Sequence, residues 1–111
     1  MDCDGNPENI LSKDELLDNV MVYWLNAAGA SSGRIYWESF GSAMANQQID
    51  VPMGGTIFPK EIFRTSRRFA EKVYTNIVHW QEKETGGHFA AFEQPKVYTD
   101  EVRACFRQIQ L

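Results

Sequence analysis

The stretch Gly86-Gly87-His88-Phe89-Ala90-Ala91-Phe92-Glu93-Gln94-Pro95 sets an imidazole behind two glycines. Glycine takes backbone conformations that a Cβ forbids and lets another group come close. An imidazole presented in such a loop can transfer protons near neutral pH. The plain alternative is a histidine on a surface loop. A second group, Glu61, closes the run Phe58-Pro59-Lys60-Glu61; alone it reads as a solvated loop carboxylate. Together the two suit one task. An acid set against an imidazole holds the ring in one tautomer and stabilises it when it takes up a proton, so the imidazole can serve as a general base.

Such a pair usually serves a nucleophile. Gly29-Ala30-Ser31-Ser32-Gly33 matches the Gly-x-Ser-x-Gly elbow, and Ser31, Glu61 and His88 follow in the order nucleophile, acid, base. The elbow needs a strand before it and a helix after it, whereas the residues ahead of Gly29 carry a helical pattern. The alternative is an interhelical turn with a serine cap. Tyr36 stands among Trp37 and Phe40, where packing is the ordinary role of an aromatic group. His79 falls inside an apolar run and is expected to pack or point outward. Arg64, Arg67 and Arg68 lie near Glu71 and Lys72 and read as a solvated face, not a phosphate site. Cys3 and Cys105 have no paired spacing, so neither a zinc site nor a disulfide framework is implied; Cys105 reads as a small apolar group on a helix.

The elements that must position these groups follow from period and punctuation. Residues 1–11 read as an irregular lead-in, with Gly5, Asn6 and Pro7 as turn formers. Ser12 and Glu15 form a capping-box pattern, so a helix should begin near Lys13. Leu16, Leu17, Val20, Met21, Trp24 and Leu25 keep helical spacing and predict one buried face. A second helix is expected from a Ser31 or Ser32 cap to near Gly41, with Ala43 to Gln48 a weaker continuation or loop. Asp50 to Phe58 reads as a strand with Pro52 at its beginning or edge. Thr65 or Ser66 caps a helix to about Tyr74, Asn76 to Gln81 forms a second strand, and a last helix runs from about Lys96 to Gln110. Its stripe of Tyr98, Val102, Cys105, Phe106 and Ile109 faces inward, and Asp100, Glu101, Arg103 and Arg107 stay wet.

Strands alternating with helices imply an α/β fold with parallel strands. A right-handed crossover puts the two strand ends side by side, so Glu61 and His88 should share one edge of the sheet. In open parallel sheets, binding and catalytic groups collect at that edge.

The 111 residues suffice for one domain at most. At 43% hydrophobic and 23% charged, the composition is that of a globular protein. A net charge of −4 provides no basic footprint for nucleic acid. No run of about 18 apolar residues is present to span a membrane, and the polar, acidic start does not read as a signal peptide.

Glu15-Leu16-Leu17-Asp18-Asn19-Val20-Met21, Tyr23-Trp24, Ser31-Ser32-x-Arg34-x-Tyr36, Phe58-Pro59-Lys60-Glu61 and the Gly86 to Pro95 motif together resemble the C-terminal end of microsomal-type epoxide hydrolases, within the α/β-hydrolase superfamily. The resemblance covers about Leu11 to Ile109. It implies a C-terminal fragment of an α/β-hydrolase fold, with two parallel strands, about four flanking helices, and residues 12–111 as an incomplete part of the domain. It also implies a two-step hydrolysis: an aspartate opens the epoxide to an alkyl-enzyme ester, and a histidine supported by an acid activates water to cleave it. By motif match His88 is similar to that base, Glu61 to its orienting acid, and Tyr36 to one of two tyrosines that donate to the epoxide oxygen. The partners implied are a small epoxide, water and a missing N-terminal part. No cofactor or metal is implied. By family resemblance the compartment is the endoplasmic reticulum membrane or the cytoplasm. The nucleophilic aspartate, its elbow, the oxyanion loop and the second tyrosine have no match here, so the isolated 111 residues are expected to be inactive. A non-catalytic hydrolase-like remnant or interaction module, and a serine esterase using Ser31, are the alternatives.

Overall fold

The structure is a computed structural model, and residues 1–39 and 48–109 are described. Helix α1 spans Lys13–Leu25 and α2 spans Gly29–Ser39; strand β1 is Met53–Ile57, α3 Arg67–Ala70, β2 Ile77–Glu82, α4 Ala90–Glu93 and α5 Pro95–Gln108. The lead-in carries a 3-10 turn at Pro7–Asn9, capped by the Asn6 side chain. The two strands are parallel neighbours, and the architecture is α/β.

Local chemistry explains most boundaries. Ser12 accepts from the Glu15 N–H, and Glu15 accepts from the Ser12 N–H, closing the expected capping box. The Ser12 N–H, together with the Ser12 hydroxyl, also holds the Glu15 carboxyl below the usual range. Asn26 caps the end of α1, and Ala27 takes a positive φ of 49°. Pro52 has no N–H to give a ladder, and β1 begins just after it, with a register shift between Met53 and Gly54. Pro95 opens α5, where its missing N–H is no loss.

Several expectations change. α2 starts at Gly29, so Ser31 and Ser32 lie inside it, and their hydroxyls donate back to the carbonyls of Ala28 and Gly29. Its expected end near Gly41 lies outside the described residues, as does all of Ala43 to Gln48 except Gln48. So does Gln110. α3 keeps its Ser66 cap but lasts only to Ala70. The chain then turns and pairs with Ile49: Ile49 N–H donates to the Val73 carbonyl, and Thr75 N–H to that of Ile49. Tyr74 thereby forms an isolated parallel bridge with Ile49 alongside the approach to β1.

The largest change concerns burial. The expected buried face of α1 is exposed: Trp24 is 77% and Leu25 74% accessible. The buried apolar residues described are Leu11, Phe58, Ala70 and Ala90. α5 does lie on the sheet, contacting both strands. Glu101, expected to stay wet, instead faces β2. It bonds His79 Nε2 at 2.7 Å and pairs with Lys83. Burial works against its charge, but the bonds from Lys83 and His79 prevail and leave its carboxyl below the ordinary range.

Candidate active site

β1 ends at Ile57, and Phe58 to Glu61 leave its carboxyl end; β2 ends at Glu82 and leads through residues 83–85 to the Gly-Gly-His loop. Beyond the strand ends the two loops remain paired. Lys60 bridges Gly87 in parallel fashion, and Lys60 N–H donates to the Gly86 carbonyl at 3.1 Å. That short ladder brings the two loops within side-chain reach.

Both glycines are required by space. Gly86 has φ +100°, and a Cβ there would sit 2.8 Å from the Phe58 ring. At Gly87 a Cβ would lie 2.9 Å from the Lys60 carbonyl oxygen and 3.2 Å from the Met1 carbonyl carbon. Any side chain at 87 would push the histidine loop away from the glutamate loop.

The result is a hydrogen bond of 2.6 Å between His88 Nδ1 and Glu61 Oε1. Glu61 Oε1 also accepts the N–H of Ile62 at 2.7 Å. The hydrogen bond from His88, ahead of the opposing effect of burial, holds the Glu61 carboxyl below its usual value. An ionised carboxylate only accepts, so Nδ1 must carry the proton and the lone pair of the neutral ring lies on Nε2. The His88 side chain is 45% accessible and that of Glu61 31%. Phe89 packs edge-on against the imidazole, with ring centroids 5.0 Å apart. The pair opens on a cleft of about 440 Å³ walled by Thr56, Phe58, Phe89, Phe92 and Tyr98. Chemically this is an imidazole oriented by a carboxylate at the rim of a largely aromatic hollow.

Ser31 and Tyr36 are not among the residues lining that cleft. Ser31 sits in α2 behind another helix, so the strand that an elbow needs is lacking. Tyr36 is 69% exposed on α2. Two carboxylates that the sequence reading did not single out stand behind the loop. Glu93 accepts from Phe89 N–H at 3.0 Å and from Asp2 N–H at 2.8 Å, and Asp2 accepts from Gly86 N–H at 3.0 Å. A charged residue in an otherwise apolar stretch, four positions after Phe89, was the available signal for Glu93. Asp2 had none, because its partners are more than eighty residues away. Among the described residues no cluster of His, Cys, Asp and Glu is fit to hold a metal ion.

No family model matches the chain. A putative epoxide hydrolase of Stigmatella aurantiaca is 50% identical over 109 residues, covering 98% of this chain and 25% of that protein. Epoxide hydrolase 1 of Sus scrofa is 35% identical, over 90% of this chain and 23% of its own length. The crystal structure of juvenile hormone epoxide hydrolase from the silkworm Bombyx mori superposes with a TM-score of 0.80 at 32% identity. It matches 88% of this chain and 26% of its own. Over most of its length the chain is therefore similar to the epoxide hydrolase family. It spans about a quarter of the length of the curated relatives it matches. The two parallel strands and five helices of the described residues correspond to the C-terminal part of that α/β-hydrolase structure.

Proposed function

We propose that this chain supplies the acid–base half of an epoxide hydrolase, with His88 as the water-activating base and Glu61 as the carboxylate that orients it. The observation that carries the proposal is the 2.6 Å bond from His88 Nδ1 to Glu61, in a chain 50% identical to a putative epoxide hydrolase. With Nδ1 engaged, Nε2 is the atom left to accept a proton.

The reaction has two steps. An aspartate carboxylate, on a segment outside residues 1–111, attacks an epoxide carbon. The C–O bond of the ring breaks, and the oxygen takes a proton from a phenol donor. Tyr36 is the candidate donor by its motif alone. In the second step Nε2 of His88 takes a proton from water as the water oxygen adds to the ester carbonyl. The bond to the alkoxy oxygen then breaks, that oxygen takes the proton back from the imidazolium, and a vicinal diol leaves; the proton of the acid so formed returns to the phenolate, which restores the aspartate. Glu61 stabilises the imidazolium formed in this step, as a buried acid does in catalytic triads.

The test is kinetic. The full-length chain carrying these residues should convert an aryl epoxide to its diol. Its His88→Gln variant should accumulate a covalent adduct, detectable as a mass gain equal to the epoxide. A full-length chain that yields no diol and no adduct would sink the proposal. It would favour the second reading, a non-catalytic interaction module, for which the exposed Trp24 and Trp37 are the supporting observation.

A further inference from the structure

The peptide that carries His88 is held from both sides. Glu93 lies on the four-residue helix α4, and its side chain has no accessible surface. A carboxylate in that position is costly unless hydrogen bonds replace its water. Here two backbone donors do so. Phe89 N–H, next in the chain to His88, donates to Oε1 at 3.0 Å, and Asp2 N–H donates to Oε2 at 2.8 Å. Asp2 in turn accepts the N–H of Gly86 at 3.0 Å through Oδ2. Gly86 and Gly87 are both buried. The N–H groups flanking Gly87-His88 on either side thus end on carboxylates, and the two carboxylate residues are tied to each other.

We infer that Asp2 and Glu93 are positioning residues for the general base: together they fix the backbone from Gly86 to Phe89 so that the imidazole meets Glu61. The inference rests on the role proposed for His88. The chemistry calls for an acid at position 93 and for a side-chain oxygen acceptor at position 2. Glu93 must accept from two N–H groups with two oxygens. A glutamine has one acceptor oxygen, and its NH2 would face the other N–H. Asp2 uses one oxygen toward Gly86, so an asparagine can replace it but an alanine cannot. The two positions therefore predict opposite outcomes for the amide variants.

The experiment uses the full-length chain and an aryl epoxide, with ester formation and ester hydrolysis resolved by rapid quench. Glu93→Gln should slow hydrolysis of the ester by roughly ten- to a hundredfold and leave ester formation within about twofold. Asp2→Ala should show the same split, and Asp2→Asn should restore the wild-type ratio. Proton NMR provides a readout independent of turnover. The low-field Nδ1 proton of His88 should broaden or move upfield in Glu93→Gln and Asp2→Ala, but not in Asp2→Asn. Equal loss in both steps, or no change in hydrolysis, would overturn the inference. If Glu93→Gln does not fold, the Asp2 pair decides. If the wild type forms no ester, the proposed function fails. The NMR comparison then decides the positioning role by itself.

Discussion

At the scale of single residues, the central fact is the hydrogen bond that His88 Nδ1 donates to Glu61. Removing the acid leaves the ring free to turn and leaves the imidazolium unsupported. Glu61→Gln in the full-length chain should therefore slow ester hydrolysis by about a hundredfold while ester formation continues, which single-turnover measurement would show. The same bond makes a pH prediction. The folded carboxyl of Glu61 is held below its unfolded value, chiefly by His88. A group depressed in this way stabilises the fold above its unfolded pKa, about 4.3. The contribution is lost as pH falls through the lower folded value. The melting-temperature gap between wild type and Glu61→Gln should be full at neutral pH and should close in the acid range below about pH 4. A gap that stays constant from pH 7 to pH 3 would show that the carboxylate's charge does not matter to stability.

At the scale of elements, two contacts decide where the pair sits. One is the glycine hinge after β2. Gly86→Ala forces a Cβ into a positive φ and to 2.8 Å from Phe58. It should destabilise the protein by about 1–3 kcal/mol and slow ester hydrolysis more than ester formation, as urea unfolding and rapid quench would report. The other is the polar seam between α5 and β2. Glu101 joins His79 and Lys83, and His79 and Glu101 are only 10% and 15% accessible. Glu101→Ala strips both partners at once and should cost about 2 kcal/mol, seen as a lower urea midpoint. An unchanged midpoint would mean that the seam is energetically neutral.

At the scale of the whole molecule, the 111 residues expose too much. Their accessible surface is 8987 Å², against about 6,200 Å² for a compact monomer of this mass. The radius of gyration is 16.4 Å, against about 13 Å. The excess is carried in part by α1 and α2, where Val22, Trp24, Leu25, Ile35 and Trp37 are all above 60% accessible. Among the described residues no further strand flanks β1 or β2, and open sheet edges invite pairing with other chains. The 111-residue chain alone should aggregate or melt over a broad range, and should turn over no epoxide. A sharp calorimetric transition of a monomer, or diol formation by the chain alone, would contradict this.

Patterns that act over a few residues were legible without coordinates. The capping box at Ser12, the proline starts of β1 and α5, the parallel order and the neighbouring loops of Glu61 and His88 all follow from local chemistry and one chirality rule. Other features depended on groups distant in the chain. α3 stopped early because Ile49 claims residues 73–75. Glu101 left the solvent because His79 and Lys83 lie beneath α5. Asp2 and Glu93 became the backing of the histidine loop only when residues 1–3 met residues 86–93. Helical spacing in α1 identified a face fit to be covered, but spacing has no means of stating what covers it. Covering is a property of contacts between elements, and those arise only in the assembled fold.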